Sequence, residues 1–325
     1  MSDPGIASKD PSGCLWIDNP KPSPYWLSPN VIMTTKPSDP SDVYPGANST
    51  SVAVSWGAKC SIPDELAVVF DLYIGDPTLP MVPGSASMGT IASPYPTPNG
   101  VTITPGQSNV ATPVSWNSSV IPTLSQPNHG CLLARVYPFG ATPDTGDLSG
   151  YPSTDPHYAQ HNCTVNATEM MEGFKIPIVN GNISLEPILV AMQAVPDLKP
   201  NQTVLNSIMG SLRMVKGFKQ IATTPLPKVE FDLSPFKGQH ESLIEKILEG
   251  IDKRVLALIE DLEGNCKKAG GVSARAVLPP RHFAKFNFIA DLRGTKAGDA
   301  HILHVSQVNQ AGRPYGGLTV VIVVI

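Results

Sequence analysis

His157 and His161 stand four residues apart in DPHYAQHNC, with Asp155 before the pair and Cys163 after it; His129 and Cys131 occur upstream in HGC. On one face of a helix, an H-x-x-x-H pair can chelate zinc. Pro156 precedes the pair and NCTV follows, which predicts a loop entering a strand instead. Residues four apart in a strand are roughly 13 Å distant, too far to share one ion. Surface or hydrogen-bonded histidines are therefore expected, and His157 with His161 is the pair to inspect for metal. His301 and His304 are three apart and fall on opposite faces of a strand.

Nucleophilic and cofactor chemistry finds no support. The chain has no G-x-S-x-G, no P-loop, no dinucleotide fingerprint and no H-E-x-x-H. Its carboxylates are scattered through turns such as Asp76-Pro77 and Asp155-Pro156, where Asp serves as a turn former. Glycoside hydrolysis needs two carboxylates paired across a cleft. The five cysteines (Cys14, Cys60, Cys131, Cys163 and Cys266) form no CxxC pair or zinc framework and are expected to be buried or loop thiols. No catalytic residue and no cofactor is expected, and the chain is not expected to be an enzyme.

The elements that carry these residues are mostly strands. Charged residues are 15% of the chain, against roughly 25% in an ordinary globular protein, and the net charge is −4. Nothing in that balance suits nucleic acid or an anionic membrane surface. The 34 prolines and 27 glycines favour short strands joined by turns. At 325 residues there is room for two or three domains. Residues 1–24 carry five prolines with little periodicity and predict an extended arm, anchored by Trp16 and Ile17. The opening MSDPGIASKDPSG has no basic stretch followed by an apolar run, so no secretory signal is expected. That leaves the compartment unassigned, with synthesis in the cytoplasm and signal-independent export or surface assembly open. The six N-x-S/T sequons (Asn48, Asn117, Asn162, Asn166, Asn182 and Asn201) are accordingly expected to be unmodified.

Period-two alternation in 51–56 and 66–74, with further runs at 101–104, 109–116, 131–137 and 162–167, predicts a β-sandwich over 25–167. A second set of strands is expected in 168–325: FKIPIV, ISLEPILVAMQAV, VEFDL, AKFNFIADL, HILHVSQV and the terminal LTVVIVVI. Only 240–264 has helical periodicity, with Ile244, Ile247, Leu248, Ile251, Val255, Leu258, Ile259 and Leu262 at three- and four-residue steps. The terminal run is too short for a bilayer, which needs roughly 20 apolar residues. Both of its faces are apolar beyond Thr319. One face is expected in a core, the other against the helix 240–264, with a neighbouring subunit as the alternative.

Several ordered stretches of the first domain carry a family resemblance: WLSPNVIM (26–33), AVVFDLYIGDPTL (67–79), TPGQSNVATPVSW (104–116), HGCLLARVYPFG (129–140) and DPHYAQHNCTV (155–165). The series resembles bacterial immunoglobulin-like domains of the CARDB (cell-adhesion-related) type. The order His-Gly-Cys departs from the family's pattern, and His161 stands where Arg is usual. Downstream, 292–325 resembles the last strands of a second Ig-like module. The resemblance implies two Ig-like sandwiches, the second with a helical insertion, in which the modules space, adhere or assemble. Two roles follow. One is a structural protein that self-associates into a homo-oligomer or larger assembly, using Trp16, Ile17, Leu318, Val320, Ile322 and Val324. The other is an adhesion module that takes a glycan or a protein through loops bearing Tyr95, Tyr137 and Tyr151.

Overall fold

Alternation is strongest in TSVAVSW and LAVVFDLYI, and both stretches are strands in the computed structural model. The structure describes residues 15–17, 24–33, 47–56, 66–75, 81–85, 88–95, 101–103, 108–110, 113–120, 130–143, 145–146, 148, 151–181, 185–234, 240–280, 283–309 and 314–325. The chain divides into two units, residues 1–163 with 201–211 and residues 164–200 with 212–325. The division falls at the first residue of a strand, a few residues before the expected boundary.

In the first unit β1 (Leu15–Trp16), β2 (Val31–Met33) and β3 (Ala47–Trp56) are followed by β4 (Leu66–Gly75), β5 (Met88–Tyr95), β6 (Val101–Ile103), β7 (Ser108–Val110), β8 (Val114–Asn117) and β9 (Cys131–Pro138). A single helical turn, α1 (Tyr151–Thr154), leads into β10 (Tyr158–His161). β3 is the centre of one sheet, paired with β1, β2, β7 and β8. The other sheet runs β10-β9-β4-β5, with β6 beside the start of β4. Val68, Phe70, Leu72 and Ile74 of β4 meet Val52, Val54 and Trp116 from the first sheet in one core. That core includes Leu15 and the expected anchor Ile17; of the rest of residues 1–24 only Trp16 and Pro24 are described. Leu15 and Trp16 pair with Trp56 and Ser55, because an apolar residue on each side of Trp16 makes this short run a sandwich strand.

In the second unit β11 (Cys163–Thr168), β12 (Phe174–Gly181) and β13 (Ile188–Pro196) come first; α2 (Gln202–Met214), of which residues up to Ser211 are assigned to the first unit, follows in the chain before β14 (Gln220–Ile221) and β15 (Lys228–Asp232). Then come α3 (His240–Gly250), α4 (Lys253–Lys268), β16 (Val272–Leu278), β17 (Phe283–Asp291), β18 (Asp299–Asn309) and β19 (Pro314–Val324). One sheet runs β11-β19-β18-β13-β16, with β14 parallel beside β18; the other is β12-β17-β15. Val190, Met192, Leu303, Val305, Val320 and Ile322 pack with Phe288 and Ala290 of the opposite sheet. The fold is mainly β, and both units bury side chains between antiparallel sheets, as expected.

The helical segment corrects two expectations. Instead of one helix over 240–264 there are two, broken at Ile251-Asp252. Gly250 weakens the first at its end, and Asp252 caps the second by accepting from the Arg254 amide at 2.8 Å. Their apolar stripe packs on Leu189, Ala191 and Val277 of β13 and β16, away from the terminal strand. Arg275 of β16 fixes the seat by donating two hydrogen bonds to Glu263 of α4, at 2.7 and 2.8 Å. Beside it, Gly271 lies so close to Ala194 O and Cys266 Sγ that a Cβ would collide with both.

α2 was not expected. Its stripe is one residue wide, Val204, Ile208 and Leu212, among Asn206, Ser207 and Ser211, which hides the period from a hydropathy scan. Its start is marked by Pro200-Asn201, and Asn201 Oδ1 accepts from the Val204 amide at 3.0 Å. Replacing Asn201 with Ala is expected to cost about 1 kcal/mol by chemical denaturation, with no change in fold.

Candidate functional site

Successive residues of a strand point to opposite faces, so the β4 residues between those of the sandwich core turn outward. There the sheet carries a polar layer instead of solvent. Asp71 of β4 sits directly across from Arg135 of β9, and both side chains are buried. Arg135 Nε donates to Asp71 Oδ2 at 2.5 Å, and Tyr137 Oη donates to Asp71 Oδ1 at 3.0 Å. Arg135 Nη2 donates to Tyr73 Oη at 3.0 Å, and the guanidinium lies 5.5 and 5.9 Å from the Tyr73 and Tyr137 ring centres. Met81, Met88, Leu148 and Tyr158 complete this second layer, with Tyr151 edge-on to Tyr158 at 4.9 Å.

The electrostatics follow from burial. Burial, and then the Asp71 carboxylate, push the Tyr73 hydroxyl up to about 12 and that of Tyr137 higher still. Burial opposes the charge on Arg135, but Asp71 and Tyr73 hold its pKa above the usual value. Each hydroxyl therefore stays a donor at neutral pH. A layer so arranged locks β4 to β9; it does not poise a base or a nucleophile.

The histidines of the metal reading are placed apart in role. His157 precedes β10, and its Nδ1 lies 2.7 Å from Asp155 Oδ1, which also accepts from the His157 amide. His161 ends β10, where its Nδ1 donates to Ser28 O at 2.6 Å. That bond belongs to the Trp26–Ser28 stretch, which covers the flank of β10: Asn162 N donates to Trp26 O and Ser28 N to Gln160 O. Both histidines are buried and serve turn and strand. Among the described residues no three or more His, Cys, Asp or Glu side chains converge as a metal site. His129, Cys14 and Cys60 lie outside the described residues. Cys131, Cys163 and Cys266 are buried.

Of the expected loop aromatics, Tyr137 is 4% exposed and committed to Asp71, which removes it as a loop contact. Tyr151 is half-buried on Tyr158. Tyr95 pairs with Phe70 at the end of β5, so its backbone belongs to a strand and not to a loop; the loop beyond it lies outside the described residues. Of the expected assembly residues, Ile17, Leu318, Val320, Ile322 and Val324 are buried within the chain and Trp16 is partly buried. β19 is also paired along both edges, by β11 and β18, so it offers no free edge. The opposite face of β19, with Thr319, Val321 and Val323, is buried as well.

Sequence reasoning missed the Asp71–Arg135 pair. The signal was present, since both are charged residues inside otherwise apolar runs of sheet-like period. No family model matches the chain, and no curated protein matches it. Among the described residues no helix is long and apolar enough to cross a membrane.

Proposed function

We propose that this chain is a non-catalytic structural protein, two Ig-like modules of which the first is CARDB-like, and that it works by associating with copies of itself. The observation that carries this reading is the polar layer on β4 and β9. There Asp71, Arg135, Tyr73 and Tyr137 bond one another and join strand to strand. The second unit supports association with apolar side chains in solvent. Ile325 is 48% exposed and its amide donates to Thr168 O, beside Met170 and Met171, which are also exposed. Thr168 Oγ1 lies 4.0 Å from Met171 Sδ, so Thr168 joins Ile325 and Met171 at the end of the β11-β19 pair.

The test is the oligomeric state. A species larger than one chain is expected by native mass measurement, weakened by Ile325→Asp with Met171→Asp while circular dichroism is unchanged. Deleting residues 1–24, the natural experiment for an arm, would remove Leu15 and Ile17 from the first core and report on folding instead. A single chain at high concentration contradicts the reading.

A further inference from the structure

We propose that His301 is a pH-sensitive latch: neutral, it lets the strap 219–226 close over the end of β18, and protonation of its buried Nε2 releases that strap. The strap is held to β18 by few bonds. Lys219 N and Gln220 N donate to Gly298 O at 2.8 and 3.2 Å, Ala222 N donates to Ala300 O at 2.9 Å, and Gln220 Nε2 donates to Asp299 Oδ1 at 2.8 Å. Gly298 adopts φ +98°, and the Lys219 side chain occupies the space a Cβ would need, so strap and strand fit only around a glycine.

His301 lies under this strap, in a narrow cleft lined by Pro196, Leu198, Ala222, Pro225, Leu226 and Leu303. It is 5% exposed and belongs to the strand face that carries Leu303 and Val305. One ring nitrogen bonds the backbone of Thr224 in the strap, while Nε2 has no hydrogen-bond partner among the described residues. A neutral imidazole can leave Nε2 as a bare acceptor at modest cost. An imidazolium must bury an N–H with no acceptor in an apolar cleft, which costs far more.

The surrounding charges do not cancel that cost. On β18, Asp299 favours the proton but is already engaged by Gln220. From the strap, Lys219 directs its ammonium to Ala297 O at 3.4 Å, and residues 221–226 bring no ionisable group. From the 196–198 segment, Asp197 is held by His304 Nε2 at 3.1 Å, and across on β19 the facing residue is Ile322. Burial accordingly pushes the His301 imidazole below its ordinary range. The sign follows by linkage. The closed strap favours the neutral ring, so closure is complete above the open-state pKa of about 6.5 and is lost as pH falls below it. The opening equilibrium should grow about tenfold per pH unit until the closed-state pKa is reached. Opening bares the carbonyls of Gly298 and Ala300 along β18.

Hydrogen exchange on the full chain, corrected for intrinsic rates, reads this directly between pH 7.5 and 5.5. The amides of Lys219, Gln220 and Ala222 should hold level above about pH 6.5 and lose protection about tenfold per unit below it in the wild type, while those of β13 and β19 stay level throughout. His301→Gln should flatten the dependence and His304→Gln should keep it. A level wild-type profile, or a slope that survives His301→Gln, overturns the latch, as does a slope lost in His304→Gln. An imidazole titration by NMR on the wild type needs no variant: a His301 pKa at or above about 6.5 also overturns it.

Discussion

Replacing Asp71 with Ala is expected to destabilise the first unit by about 3–5 kcal/mol, because Arg135 is left charged, buried and uncompensated. For a unit of this size that lowers the melting temperature by roughly 6–20 °C. The loss belongs to the broken pair and not to the pair as such. Taking two charges out of water costs several kcal/mol each, and their attraction only repays that debt when the remaining polar atoms are satisfied. Here Tyr137 and Tyr73 satisfy them. Asp71→Leu with Arg135→Met and Tyr137→Phe removes both charges and the hydroxyl that donates to Asp71, so it should recover most of the stability by thermal denaturation. If the single replacement is silent, the layer is not what locks β4 to β9. If the triple variant is as unstable as the single one, the loss comes from lost shape and not from the stranded charge.

Placing a carboxylate in the terminal strand is expected to unfold the second unit. Ile322 has no exposed surface, and β19 lies between β11 and β18. Ile322→Asp buries an unpaired charge, a change that costs more than 4–5 kcal/mol and approaches the whole stability of a domain. Ile322→Ala should cost about 2–5 kcal/mol, reporting lost contacts and the cavity they leave. Chemical denaturation with exchange readout separates the two units: β13, β18 and β19 should lose protection while β4 and β9 keep theirs. An Ile322→Asp chain that folds normally but changes its association would make the strand an interface instead of a core element.

The two cases show what the sequence carries. Period two made β4 and β13 legible, since a sandwich strand must alternate or be apolar throughout. The terminal strand was recognisable as sheet, and its wholly apolar character correctly implied two covered faces. What covers them was not legible. The helices share the apolar stripe that was expected to cover it, yet the β13-β16 register places Leu189 and Val277 under that stripe. Such a choice is made by non-local pairing, which local pattern does not contain. The same holds for Asp71 and Arg135, 64 residues apart, which become a pair only through the β4-β9 register. β1 was lost among the N-terminal prolines because two residues are too few to show a period.

Self-association is the central claim, and native mass measurement across a concentration series tests it most directly. The expected result is a species larger than one chain that falls toward one chain on dilution and in the Ile325→Asp, Met171→Asp variant. A single 34.5 kDa chain at every concentration would contradict it.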